Sequence, residues 1–239
     1  MQPVTDLEVV DLRGVLVPID PQVMSPYMID VIRSRNYEQR EAARLPLIIA
    51  PGERIVEIGG GVGYLSALMG LQRKAEAIVV FEANPALLPL IRTTHRLNGV
   101  TAEVRNQVIM PVKRAETATF HVHEHFWASS LMPIRQRFRA GKVRVPVVSF
   151  AEMLAEHAPT LLVVDIEGAE TALFDGVQLD GVQKVLIEVH HKEIGPAGVG
   201  ALFAFFAAQG LVYDPRHSER GVVVFMRPDP VTALYPTAE

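Results

Sequence analysis

The chain has 239 residues, with 23 Lys+Arg against 27 Asp+Glu, eight His and no Cys, and 49% of it is hydrophobic. This length suits one α/β domain over residues 1–239, burying roughly 70–75% of the surface that the unfolded chain exposes. The lack of Cys excludes a disulfide framework, a thiolate zinc site, an iron–sulfur cluster and a thiol nucleophile, and a net charge of −4 offers no global field to nucleic acid or anionic lipid.

The first residues, MQPVTDLEVVDLRG, lack a basic stretch followed by an apolar one and do not read as a secretory signal. The longest apolar runs, such as 201–208, reach about eight residues, far short of the ~18 of a membrane span. A cytoplasmic protein with no membrane partner is expected. There is no repeat at a period of 20–50 residues and no low-complexity segment.

In chain order, residues 1–36 carry several Pro and are expected to pack over a sheet, within an N-terminal cap extending to residue 50. Short aliphatic runs ending in an acid then recur at 54–58, 77–82, 161–165 and 185–188. Runs this short, β-branched and without polar alternation predict strands covered on both faces, as in parallel sheets. Between them lie helix-compatible stretches at 64–71, at 85–97 closed by Asn98-Gly99, and at 199–209 with Gly210 as a C′ glycine. Residues 102–105 read as a third strand, and 211–213 with 221–226 as two closing strands. The pattern predicts an α/β chain with a mostly parallel, doubly wound sheet and an antiparallel C-terminal strand. Residues 114–148 are the least regular and are expected to form an insertion that sets substrate specificity.

In an open parallel sheet ligands bind outside the carboxyl ends of the strands. Glu57, Glu82, Asp165 and Glu188 are expected on that rim, where capping a helix or pairing with Arg is the plainer alternative for each. After the first run comes Glu57-Ile58-Gly59-Gly60-Gly61-Val62-Gly63-Tyr64, opening a helix. Its glycines permit positive φ and a close ligand approach, and the helix N-terminus presents free N–H groups. A dinucleotide fingerprint starting at Gly59 would need glycine where Tyr64 stands, and no Gly-Lys-Ser/Thr follows for a P-loop. Glu82, 19 residues after Gly63, is placed to accept from both hydroxyls of an adenosyl ribose, in a nicotinamide dinucleotide or in S-adenosylmethionine alike. An NAD(P)-dependent oxidoreductase therefore stays open at this point.

The acid-x-Gly-x-Gly-x-Gly loop resembles motif I of class I S-adenosylmethionine-dependent methyltransferases. More narrowly, the chain resembles the FkbM methyltransferases in Tyr37-Glu38, Val56–Gly63 as quoted, Phe81-Glu82-Ala83-Asn84-Pro85, Trp127-Ala128-Ser129-Ser130-Leu131, Val164-Asp165-Ile166-Glu167-Gly168-Ala169-Glu170 and Ile187-Glu188-Val189-His190. The family commonly carries Lys two positions before that Asp, where this chain has Val163. The resemblance implies a Rossmann-like class I methyltransferase fold, S-adenosylmethionine as cofactor and O-methylation of a small molecule, a sugar or natural product. A catalytically silent binding subunit on the same fold is a further alternative. The cofactor set it implies is Tyr37, Glu38, Glu57, Gly59, Gly61, Gly63, Tyr64, Glu82, Asn84 and Asp165. Asn106 and Gln107, just after 102–105, stand where adenine usually lies, or form a polar turn.

Methyl transfer from a sulfonium asks the protein to align the acceptor and, for a hydroxyl, to take its proton. Asp165 is one candidate for base or substrate anchor, and His190 is the other, with Glu188 on the same strand face. Glu167 is a weaker site candidate, since capping and helix-dipole pairing account for Glu167 and Glu170 without catalysis. His121, His123 and His125 share one face of a strand and form either a metal-chelating set or a polar cleft lining. Arg135, Arg137, Arg139, Lys142 and Arg144 form a basic run, either a solvated loop or a clamp for an acidic sugar derivative. Trp127 with Ser129 and Ser130 either lines a sugar site or is buried in the core.

Overall fold

Alternation of side chains along the strands decides where this chain can put its helices. The computed structural model describes residues 7–123 and 139–228. An N-terminal hairpin of β1 (Glu8–Leu12) and β2 (Val15–Ile19) leads to helices α1 (Pro26–Arg33) and α2 (Gln39–Ile48). Then follow β3 (Glu53–Ile58), α3 (Tyr64–Leu71), β4 (Ala75–Phe81), α4 (Leu88–Leu97), β5 (Glu103–Arg105) and β6 (Val108–Met110). A ribbon of β7 (Thr117–His123) and β8 (Arg139–Ser149) precedes α5 (Phe150–His157). The chain continues through β9 (Leu161–Val164), the short α6 (Glu170–Leu173), β10 (Lys184–Glu188), α7 (His191–Ala208), β11 (Val212–Tyr213) and β12 (Val222–Met226).

The main sheet has the order β11-β12-β10-β9-β3-β4-β5. Its neighbours from β10 to β5 pair in parallel, and β12 runs antiparallel to both β10 and β11. On β9, Leu161 and Val163 face one core while Leu162 and Val164 face the other; on β10, Leu186 takes the first side and Val185 with Ile187 the second. The first core is closed by α3, α4 and the N-terminal cap, through Val15, Val17, Met28, Ile32 and Leu45. The second is closed by α5, α6 and α7, through Phe150, Met153, Phe174, Leu202 and Phe206. A sheet buried on both faces has no solvent side, which is why its strands read as unbroken aliphatic runs. This is the Rossmann-like class I arrangement expected from the sequence, with the antiparallel strand at β12.

The described parts of the segment 114–148, residues 114–123 and 139–148, are more regular than the sequence suggests. β7 and β8 pair antiparallel, and β8 also takes β6 in parallel, giving a three-stranded sheet in the order β6-β8-β7. Val145 and Val147 turn inward onto Phe120 and Val108, while Lys142, Arg144 and Pro146 face outward. β8 ends in a capping box: Ser149 Oγ accepts from Glu152 N at 3.2 Å and Glu152 Oε2 accepts from Ser149 N at 2.8 Å, which starts α5 and returns the chain to β9. The helix predicted at 199–209 extends back to His191 across a break at Gly195, where φ is 68°. Among the described residues no helix is long and apolar enough to cross a membrane.

Candidate functional site

From β3 the chain turns one way to β4 and later returns to the other side through β9, so the carboxyl ends of β3 and β9 flank a crevice. At Gly59, with φ 95°, a Cβ would stand 1.9 Å from the carbonyl oxygen of Asp165, so only glycine lets these two strand ends approach. Gly63, with φ 77°, packs on Ile91 and closes the turn by donating to the carbonyl of Gly60 at 2.8 Å.

Glu82, just beyond β4, fastens this loop. Its Oε2 accepts from the N–H groups of Gly60 and Gly61, each at 3.0 Å, and its Oε1 accepts from Asn84 N at 2.7 Å. Burial pushes its carboxyl up to about 7, against the opposing pull of those backbone donors. Asn106 Nδ2 donates to the carbonyls of Glu82 and Ala83 at 2.8 and 3.1 Å, fixing the far side of the same turn.

A cavity of about 160 Å³ lies over the loop. Of the residues singled out in the sequence, it is lined by Tyr37, Glu38, Gly59, Gly61, Glu82, Gln107, Asp165 and Glu167, with Phe81, Leu87, Val108 and Ile109 as apolar walls. The side-chain oxygen of Gln107 is buried there without a hydrogen-bond partner. A second cavity of about 880 Å³ adjoins it, lined by Arg13, Tyr27, Arg40, Glu41, Glu188, His190 and Arg220 among others. Tyr37, Glu38, Asp165 and Glu167 line both.

That shared wall is crowded with acid around one imidazole. His190 Nε2 lies 3.2 Å from Glu167 Oε2, 3.8 Å from Glu188 Oε2 and 4.0 Å from Asp165 Oδ1. Its Nδ1 is 2.5 Å from Oε1 of Glu170, whose side chain is fully buried. Burial alone would pull His190 down, but the Glu170 bond and the charges of Glu167, Asp165 and Glu188 outweigh it and raise the imidazole to about 9. Asp165 is pushed well above the carboxylate range by burial, then by Glu188 and Glu167. Burial likewise raises Glu167 and Glu41 to about 7. Glu38, which enters α2 in left-handed backbone with φ 45°, is raised by burial and by Asp165. One donor atom each from Asp165, Glu188 and His190 lie within 4.8 Å of one another.

Several residues expected in the site stand elsewhere. Glu57 is not on the rim: it is the penultimate residue of β3, 2% exposed, and alternation turns it under α3 toward Ser66. Burial raises it to about 8, and its Oε2 has no hydrogen-bond partner. Gly63, Tyr64, Asn84 and Asn106 do not line the first cavity. Tyr64 is buried with its ring 6.1 Å from that of Tyr37, and Asn84 Oδ1 accepts from Ala86 N at 3.1 Å in the turn before α4. These side chains support the loop and the Tyr37 wall from behind. Glu170 Oε1 is shared between His190 and the N–H of Gly168, 3.4 Å away in the turn before α6. His121 is buried on β7 and belongs to no metal-sized donor group among the described residues, while His125, Trp127, Ser129, Ser130, Arg135 and Arg137 lie outside the described residues. Lys142 and Arg144 are exposed on β8 and line neither cavity, which for these two fits the solvated alternative rather than the clamp. No local pattern signalled Arg13, Arg40, Glu41 or Arg220, which come to line one cavity only through the tertiary fold.

The profile of the methyltransferase FkbM domain matches residues 57–215. No curated protein matches the sequence. Among solved structures, the chain is similar to M. jannaschii TYW2 in complex with AdoMet, at 13% identity over 93% of this chain and 87% of that one, with a TM-score of 0.47. It is also similar to the precorrin-6y C5,15-methyltransferase of Geobacter metallireducens GS-15, at 12% identity over 80% and 88% of the two chains and a TM-score of 0.46. The tRNA m1G37 methyltransferase of M. jannaschii matches at 12% identity over 93% of this chain and 55% of that chain, with a TM-score of 0.49. The matched profile runs from Glu57 through the glycine loop, Glu82, Asp165 and His190 to the start of the closing strands, and on that match the chain belongs to the FkbM family of S-adenosylmethionine-dependent methyltransferases.

Proposed function

We propose that this chain, as one domain over residues 1–239, methylates a hydroxyl of a small molecule, a sugar or natural product, at the wall shared by its two cavities. The observation that carries the reading is that Tyr37, Glu38, Asp165 and Glu167 face both the glycine-loop cavity and the larger one beside it. A methyl donor in one and an acceptor in the other would meet there.

The residues of the first cavity fit S-adenosylmethionine. Phe81, Leu87, Val108 and Ile109 suit a flat ring, and the orphaned Gln107 oxygen needs a donor such as an adenine amino group. Glu82 accepts from backbone N–H groups of the loop and still lines the cavity, where its carboxylate can meet a ribose hydroxyl. Gly59 and Gly61 keep the floor free of side chains, and Tyr37 and Glu38 close the methionine end. Glu38, Asp165 and Glu167 supply negative charge where a sulfonium and an ammonium would lie. Bound there, the cofactor supplies an electrophilic methyl group.

Asp165 takes the proton of the acceptor hydroxyl. It alone of the two base candidates lines both cavities; a cation bound in the first would ionise it, and its crowding by Glu188 and Glu167 keeps its affinity for a returning proton high. His190, charged and held by Glu170, keeps the neighbouring carboxylates from repelling each other. Glu57, Gly63, Tyr64, Asn84 and Asn106 act by holding the loop.

Calorimetry and thermal melting test the reading. S-adenosylmethionine is expected to bind and raise the melting temperature while nicotinamide dinucleotides do not, and labelled methyl is expected to reach a hydroxyl in a panel of sugars and macrolides. The reverse ranking of ligands would favour the oxidoreductase alternative. Binding without transfer to any acceptor would favour the silent subunit.

A further inference from the structure

The second cavity has two electrically distinct ends. The charges acting on Asp165 are Glu188, Glu167, His190 and Glu41, whereas those acting on Glu219 are Arg44, Arg40 and Arg220. Of these, Arg44 is already taken, with Nη2 2.6 Å from Glu219 Oε2. Arg13, Arg40 and Arg220 line the cavity, are exposed, and make no side-chain hydrogen bond or ion pair among the described residues. Glu219, already paired with Arg44, therefore leaves the guanidinium groups of Arg40 and Arg220 uncompensated, while Arg13 lines the cavity on the side of Tyr64.

These arginines come from three separate places: the turn between β1 and β2, the first turn of α2, and the turn before β12. Arg13 and Arg220 both hold left-handed backbone, each with φ 54°, and each is followed by glycine. A non-glycine residue pays about 1–2 kcal/mol to sit there, so the tight turn itself would favour glycine or asparagine at these positions. Among the described residues, three of the six non-glycine residues with positive φ, namely Arg13, Glu38 and Arg220, line this one cavity, which places unfavourable backbone at its wall.

The turn that carries Arg220 is bonded to the reactive end. Val189 N donates to the carbonyl of Gly221 at 2.8 Å, and Glu188 faces Val222 across the β10–β12 ladder. A small molecule held by Arg220 would therefore reach the segment bearing Glu188 and His190. Tyr27, 60% exposed on α1, offers an aromatic face along the same cavity, whose volume of about 880 Å³ is within the usual range for small-molecule sites, roughly 300–1,000 Å³.

Resting on the methyl-transfer reading above, we infer that the acceptor is an anionic hydroxyl compound, whose carboxylate or phosphate is held by Arg40 and Arg220 while its hydroxyl faces Asp165. Guanidinium groups pair with either oxyanion in bidentate fashion. The acids at the other end accept hydrogen bonds from hydroxyls and repel an anion, so the two ends together fix one orientation. The anchor is thus two arginines far apart in the sequence, Arg40 and Arg220.

Calorimetry on the full chain tests this with three probes: glucose 6-phosphate, glucuronate and glucose, each titrated in the presence of S-adenosylhomocysteine. At least one anionic sugar is expected to bind tenfold or more tighter than glucose, and the winner tells phosphate from carboxylate. A double variant, Arg40→Ala with Arg220→Gly, is expected to erase that preference while the dissociation constant for S-adenosylmethionine changes less than twofold. Glycine is used at 220 because it accepts φ 54° without strain. Arg40→Lys with Arg220→Lys is expected to keep a partial preference, which separates lost charge from lost folding. Equal binding of the three probes, no binding of any, or a preference that survives the double variant would overturn the inference. Failure of the wild-type chain to bind S-adenosylmethionine would instead overturn the methyl-transfer reading.

Discussion

His190 and Glu170 are joined by a 2.5 Å contact between Nδ1 and Oε1, and the backbone N–H of His190 donates to the same oxygen at 3.2 Å. The carboxylate is fully buried, so its negative charge is held in place by the imidazole. This pair ties the loop after β10 to the Asp165–Glu170 element after β9, and it decides which way the other imidazole nitrogen points. Nε2 is left facing Glu167, Glu188 and Asp165.

Glu170→Gln removes the charge but keeps an acceptor for Nδ1. The imidazole, held at about 9 by this bond and its acidic neighbours, is expected to fall by at least one unit, which corresponds to about 1.4 kcal/mol of lost interaction with the charged form. Histidine titration by NMR reads this directly. Glu170→Asp, which restores charge, is expected to recover part of the shift, and an unchanged midpoint in Glu170→Gln would show that the pair does not set the charge of His190.

The same groups give the ligand-free protein a sloping pH dependence. Burial raises Glu57 to about 8 and Glu82, Glu41 and Glu167 to about 7, all from an unfolded value near 4.5, so the folded chain keeps protons that the unfolded chain has released. Their contribution is fully present below 4.5 and is lost as pH rises to about 8. His190 acts in the same direction, its contribution lost between about 6.5 and 9. The melting temperature of the ligand-free chain is expected to fall from pH 5.5 to 8.5, most steeply between about 5.5 and 7. A cation in the first cavity favours ionised Glu167 and Asp165, so cofactor binding is expected to release protons and to strengthen as pH rises through 7. Calorimetry in buffers of different ionisation enthalpy counts those protons, and proton uptake would contradict the assignment.

How much of this was legible in the sequence depends on whether a single element could carry the signal. β9 and β10 were visible because strands covered on both faces show uninterrupted aliphatic residues, as in Leu161 to Val164. Gly59, Glu82 and Asp165 were visible because the acids and glycines stand where such runs stop. The β7–β8 ribbon was not, since one of its faces is solvated and Gly141 and Pro146 interrupt its alternation. Glu57 was misplaced by one residue of register: the strand continues through Ile58, so its acid points beneath α3 rather than past the strand end. Glu170 looked like a helix-start acid because its partner sits on a different loop. Arg13 and Arg220 are separated by nearly the whole chain, and no local pattern brings them together.

Gly59→Ala tests the closeness of the two strand ends. The new methyl would stand 1.9 Å from the Asp165 carbonyl oxygen, a backbone atom that cannot move aside without shifting β9. The left-handed region adds about 1–2 kcal/mol of its own. The variant is expected to lose S-adenosylmethionine binding and to melt well below wild type. Gly99→Ala, where φ is also positive but no atom lies within 4 Å of the added Cβ, is expected to lower the melting temperature by only a few degrees and leave cofactor affinity intact. Equal behaviour of the two variants in melting and calorimetry would mean that the contact with Asp165 plays no special part.

Asp165→Asn separates proton transfer from binding. The amide keeps the shape of the carboxylate but accepts no proton at neutral pH, so kcat is expected to fall by about 10²–10⁴, the usual worth of a positioned general base. Glu38 and Glu167 remain on the same wall, so the dissociation constant for S-adenosylmethionine is expected to rise only severalfold. Glu82→Ala is expected to show the opposite split, because Glu82 holds the glycine loop through three backbone bonds and touches no atom of the acceptor's cavity. Its cofactor affinity should drop by tenfold or more while kcat at saturation stays within about tenfold of wild type. His190→Gln decides between the two base candidates. If turnover survives in Asp165→Asn and vanishes in His190→Gln, the proton goes to the imidazole, and the raised affinity of Asp165 for protons serves only to balance the charge beside it.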